Sequence, residues 1–190
     1  MSEPVYLIVN VHRSGSSMLM RCLEAGGLQA VGDKNLELNS SAPSDYIPNP
    51  NGFYQFNNLI NDNFYSTYAG KLIKYPIRKI RYLPSGEYKI ILLKRNPEEI
   101  RMSMSKWTPY KSWGKDETIT YLYEEYMDLV LNHLSSLAGA EISVMDYKDI
   151  VQSPKQAFAK LVDAGWPIDT ESAAQVVDQS LYRLKLESNG

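Results

Sequence analysis

The clearest hydrophobic block along the chain is Val5–Val11, VYLIVNV. A short apolar run rich in β-branched residues predicts a strand buried on both faces. Lys89–Lys94 (KIILLK) and Glu141–Tyr147 (EISVMDY) share this character, and Lys71–Tyr75 (KLIKY) is a weaker version of it. Helical spacing fills the intervals. Met18, Leu19, Cys22 and Leu23 form an apolar stripe that stops at Gly26-Gly27, a C-terminal signal. Pro97 sits where a first helical turn begins, and Ile100, Met104 and Trp107 follow at helical spacing. Further helices are predicted over Thr118–Leu137, Pro154–Ala164 and Ser172–Leu181. Strands alternating with helices predict one α/β domain, residues 1–190, around a mostly parallel sheet.

Two stretches break the periodicity. Asp33–Asn63 carries Pro43, Pro48, Pro50, Gly52 and eight asparagines. Loops of that length in compact domains are usually functional or disordered, so it reads as an ordered lid or acceptor-binding segment. Lys106–Asp116, KWTPYKSWGKD, is the second such segment. Trp107 and Trp113 flank it, with ligand closure and plain packing both open to them.

Composition narrows the class. Hydrophobic residues at 44% and charged residues at 22% describe a folded globular chain rather than a disordered one. The net charge of −2 excludes a chain-wide nucleic-acid-binding field and leaves room for a local anion pocket. A lone cysteine and two histidines exclude a disulfide scaffold and argue against a dedicated zinc site. No apolar run approaches the roughly 18 residues of a membrane span. Met-Ser-Glu-Pro lacks the positive start of a signal peptide, so a cytoplasmic location is expected.

The first strand runs directly into His12-Arg13-Ser14-Gly15-Ser16-Ser17, and a helix follows at once. Strand, small polar loop and helix start together make an anion cradle: loop amides converge, and the helix N-terminus adds partial positive charge. Gly15 permits close backbone approach, Ser14, Ser16 and Ser17 offer hydroxyls, and Arg13 brings a permanent cation. The plainer reading is a serine-rich turn that caps a helix. The loop is not G-x-x-x-x-G-K-[ST], because Ser16 follows Gly15 and Asn10 holds the first glycine's place. One strand later, KIILLK ends in Arg95-Asn96-Pro97, with Ser103 eight residues past Arg95. An Arg at a strand end and a Ser two turns into the next helix can converge on one phosphate.

These strings have a family pattern. R-S-G-S-S before a Met/Leu helix resembles the 5′-phosphosulfate loop of sulfotransferases, and R-N-P-E-E-I-R-M-S resembles their 3′-phosphate signature, with Asn96 where the family more often has Asp. NPNGFYQ at Asn49–Gln55, LIKYP at Leu72–Pro76, MDYKDIVQSP at Met145–Pro154 and VDQSLYR at Val177–Arg183 are similar to further segments of small bacterial members, Gln55 replacing the usual Glu. In order, the matches span residues 5 to 183.

The resemblance implies a three-layer α/β/α fold of the P-loop NTPase-like sulfotransferase type. It implies transfer of a sulfuryl group from 3′-phosphoadenosine-5′-phosphosulfate (PAPS) to a hydroxyl or amine of a small-molecule, carbohydrate, lipid or peptide acceptor. Arg13, Ser14, Gly15, Ser16 and Ser17 would hold the 5′-phosphosulfate. Arg95 and Ser103 would hold the 3′-phosphate, with Arg183 as a further contact. Glu37 is the first choice of general base, with Asp33 and His12 behind it, and Lys74 would stabilise the sulfuryl group. No metal is expected. Two other readings compete: a nucleotide or small-molecule kinase of the same superfamily, and a non-catalytic protein that binds adenosine bisphosphate.

Overall fold

The computed structural model describes residues 3–32, 54, 56, 63–105 and 118–182. The strands are β1 (Val5–Asn10), β2 (Gln29–Val31), β3 (Lys71–Pro76), β4 (Tyr88–Lys94) and β5 (Ala140–Asp146). They form one sheet in the order β2-β3-β1-β4-β5, with every pairing parallel. All six residues of β1 are buried, which follows from its central place between β3 and β4 and explains its unbroken apolar run.

Alternate residues of β1 feed two cores. Tyr6 and Ile8 face one of them, with helices α1 (Ser16–Ala25), α5 (Tyr147–Gln152), α6 (Pro154–Asp163) and α7 (Thr170–Gln175). Val5, Leu7 and Val9 face the other, with α2 (Phe64–Tyr68), a 3-10 turn at Ile77–Tyr82, α3 (Pro97–Ser105) and α4 (Thr118–Ser135). The result is the expected α/β/α sandwich. Each fully buried large side chain, Leu7, Phe158 and Leu19 among them, contributes about 1.5–3 kcal/mol of transfer free energy. Cys22 is buried inside the first core, and burial pushes its thiol up to about 12.

The four predicted strands are present within a residue at either end. The last helix is shorter than expected. It spans Thr170–Gln175, and a separate 3-10 turn follows at Gln179–Leu181. Asp178 interrupts the predicted run, because its carboxylate accepts hydrogen bonds from the Ser180 amide at 2.9 Å and hydroxyl at 2.6 Å and starts a new turn. β2, α2, the turn at Ile77–Tyr82 and α5 are additions to the sequence reading.

Of the proline-rich segment, Tyr54 and Phe56 are described. Tyr54 enters the first core, and its hydroxyl donates to Glu24 Oε2 on α1 at 2.9 Å. Phe56 enters the second core, edge-on to Phe64 and Tyr68. The segment therefore reaches both faces of the sheet within three residues. No helix among the described residues is long and apolar enough to cross a membrane.

Candidate functional site

In the strand order, β1 leads by way of α1 to β2 on one flank, and β3 leads to β4 on the other. The direction of winding reverses beside β1, and such a switch point opens a crevice at the carboxyl ends of the strands. Residues 11–15 occupy that place. Arg13 has φ 68° and Gly15 φ 96°, so two of three successive residues are left-handed. That geometry turns the chain sharply from β1 into α1 and presents backbone amides in a concave row. Gly15 is the N-cap residue, and no side chain caps the helix, so serine capping does not account for the loop's composition. The first-turn amides of an α-helix have no partner within the helix. Gly15 is also required sterically: a Cβ there would stand 2.2 Å from the Tyr147 ring. Ser14 is fully buried, and its Oγ has no hydrogen-bond partner among the described residues. An orphaned buried hydroxyl costs about 1–3 kcal/mol, a cost that an anion's oxygen can remove.

The two strand-end arginines converge. Arg13 Nε donates to Ser103 Oγ at 2.9 Å across 90 positions of sequence. Arg95 Nη1 donates to the Arg13 carbonyl at 3.0 Å. Ser103 is therefore bonded to Arg13, whereas sequence spacing pairs it with Arg95. Asn96 explains how α3 is aimed: its Oδ1 accepts from the amides of Glu98 at 2.9 Å and Glu99 at 3.3 Å. It serves as the N-cap that Asp would equally supply, and this turns Ser103, two turns on, back toward the loop.

Arg95 is held from several sides. Its Nε donates to Glu99 Oε2 at 2.9 Å, its amide donates to the Tyr123 hydroxyl at 3.3 Å, and its Cζ lies 4.6 Å from the Tyr147 ring centre and 5.4 Å from that of Tyr182. Glu99 is 3% exposed. Its second oxygen accepts from the Tyr182 hydroxyl at 2.6 Å. A buried carboxylate with two donors is the satisfied form of an otherwise costly group. Glu99, Tyr147 and Tyr182 were not among the sequence candidates. A carboxylate four residues after Arg95 is a weak signal, and an aromatic 83 positions further on carries none.

The opposite rim is basic. Lys74, the fourth of the six residues of β3, donates from Nζ to Ser17 Oγ at 3.1 Å, and burial lowers its pKa to about 8. His12 is pulled below its ordinary value by burial first, then by the positive charges of Arg78, Lys74 and Arg13. Its imidazole is accordingly neutral at pH 7. Lys74 and Ser17 thus stand at the start of α1, and the charges of Lys74 and Arg13 both act on the His12 imidazole. Glu37, Asp33, Gln55, Trp107, Trp113 and Arg183 lie outside the described residues.

The sequence matches no family model and no curated protein. Among solved structures, the chain is similar to a sulfotransferase domain from the curacin biosynthetic pathway, with a TM-score of 0.58 and 17% identity over 97% of this chain and 92% of that one. At that identity the likeness is one of architecture: the parallel α/β/α sandwich shares its fold with that sulfotransferase domain.

Proposed function

We propose that the protein is a PAPS-dependent sulfotransferase. One observation carries the reading: within a sulfotransferase-type fold, an arginine of the loop after β1 is bonded to a serine of α3 and accepts, through its carbonyl, a bond from the arginine that ends β4. The donor has an anionic group at each end of its nucleoside, and the chain offers cations at neighbouring strand ends. Arg13, Ser14, Gly15, Ser16 and Ser17 would hold the 5′-phosphosulfate, where Ser14 Oγ gains its missing partner. Arg95 and Ser103 would hold the 3′-phosphate, with Arg183 as a further contact.

The reaction is in-line. The bond between sulfur and the bridging phosphate oxygen breaks, a bond between sulfur and the acceptor's oxygen or nitrogen forms, and the acceptor's proton passes to a base. Catalysis rests on positioning and on charge stabilisation at the leaving and equatorial oxygens. Arg13 neutralises the departing phosphate oxygen, and Lys74, cationic below about pH 8, stabilises the sulfuryl oxygens. Glu37 takes the proton, with Asp33 the second candidate and His12, adjacent to the loop, a third.

The test is thermal unfolding in the presence of adenosine 3′,5′-bisphosphate, ATP or AMP. A ligand at a hundredfold excess over its Kd stabilises by about 2.7 kcal/mol, a rise of roughly 5–10 °C for a chain of this size. Selective stabilisation by the bisphosphate, followed by transfer of labelled sulfate from PAPS to an acceptor library, is the expected outcome. Stabilisation by ATP alone points instead to a kinase, and bisphosphate binding without transfer to any acceptor points to a binding protein.

A further inference from the structure

Tyr182 reaches the anion loop by two routes. Along the first, its hydroxyl donates to Glu99 Oε1 at 2.6 Å, Glu99 Oε2 accepts from Arg95 Nε at 2.9 Å, and Arg95 Nη1 donates to the Arg13 carbonyl at 3.0 Å. Along the second, its ring meets Tyr147 edge-on at 5.3 Å, and Tyr147 stands against Gly15 so closely that a Cβ there would lie 2.2 Å away. Both routes end on the left-handed residues, Arg13 and Gly15. A non-glycine residue does not hold that conformation unaided. The bond from Arg95 to its carbonyl is one support, and Arg95 is held in turn by a buried carboxylate that has a second donor.

We propose that Glu99 and Tyr182 are positioning residues of the anion site: through Arg95 and Tyr147 they hold the Arg13–Gly15 backbone in its anion-accepting shape, so the segment at Gln179–Tyr182 is a buckle on the loop. The ligand named here rests on the proposed function; the buckle itself does not. Without the Tyr182 hydroxyl, Glu99 Oε1 loses the 2.6 Å bond that fixes it on that side. The carboxylate then has reason to rotate, and it takes Arg95 away from the Arg13 carbonyl. Burial and the bond to Glu99 both raise the pKa of Tyr182, so the phenol remains a donor throughout the working pH range.

The variant to make is Tyr182→Phe, which keeps the ring and its packing on Tyr147 and removes only the hydroxyl. In unliganded protein, amide hydrogen exchange over residues 11–17 is expected to quicken about tenfold, while helix α6 keeps the wild-type rate. Affinity for adenosine 3′,5′-bisphosphate is expected to fall about tenfold, the equivalent of one charge-assisted hydrogen bond. Glu99→Gln, a second variant of nearly unchanged volume, is expected to act in the same direction. Unchanged exchange at 11–17, or acceleration spread evenly through the domain, overturns the positioning role, because it reduces Tyr182 to an ordinary contributor to stability. Wild-type binding of the bisphosphate that Tyr182→Phe fully retains overturns it as well. Wild-type protein that binds no bisphosphate overturns the proposed function, and with it the ligand assigned here; the exchange measurement then decides the buckle on its own.

Discussion

Lys74 shows at residue scale how burial sets chemistry. Its stem is packed beside α1, its ammonium bonds Ser17, and desolvation brings its pKa down to about 8. In a free site it loses its charge as pH rises through that value, and a bound anion favours the charged form and raises it. Anion affinity is therefore complete below about pH 8 and declines above it. The measurement is the Kd for adenosine 3′,5′-bisphosphate from pH 6.5 to 9.5. Wild type is expected to weaken by several-fold across that range, and Lys74→Met to bind less tightly with a flatter profile. An unchanged slope in Lys74→Met would remove Lys74 from the site. The same desolvation works on stability in the opposite sense. A lysine whose folded pKa lies below its unfolded one is a cost at low pH, and that cost is relieved between about pH 8 and the unfolded value.

At the scale of elements, the start of α1 is where backbone and packing demand the same residue. Gly15 takes a positive φ and leaves no room for a methyl against the Tyr147 ring. In Gly15→Ala the left-handed backbone costs about 1–2 kcal/mol, and overpacking adds about 1–3 kcal/mol. The expected result is a lower denaturation midpoint together with loss of bisphosphate-induced stabilisation. An alanine variant that binds as wild type does would show that the loop tolerates another shape. The start of this helix was readable in the sequence because glycine and serines follow an apolar strand directly. The same directness made β1 and β4 legible, since strands buried on both faces need continuous apolar residues. β2 was not, because three residues, one of them exposed, carry no period. α5 was hidden for a related reason: Tyr147–Gln152 follows β5 with no residue between them, the strand's last residue Asp146 also capping the helix by accepting from the Lys148 amide at 2.7 Å, so strand and helix run together in the sequence. Within the site, Arg13, Ser103 and Arg95 were legible as types near strand ends. Their actual pairing was not, because it depends on how Asn96 aims α3. Glu99 and Tyr182 were illegible because a contact across 83 positions leaves no local pattern.

Across the whole molecule, one parallel sheet joins two cores, and the winding reverses beside the central strand. That arrangement collects residues from four distant places, 13, 74, 95 and 182, of which only the stretches around 13 and 95 carry a readable motif. It also isolates Cys22, the chain's only cysteine, in the opposite situation. The sulfur lies sealed between helix and sheet, and burial holds its ionisation near 12, so the native protein presents almost no thiolate to a reagent. Alkylation by a maleimide dye should then require the first core to open, and a dye-labelling time course becomes a stopwatch for unfolding. The expected rate is slow in native buffer and immediate in denaturant, and rapid labelling of folded protein would contradict the sealed position. In the purified protein that single thiol is a built-in reporter of how often the domain comes apart.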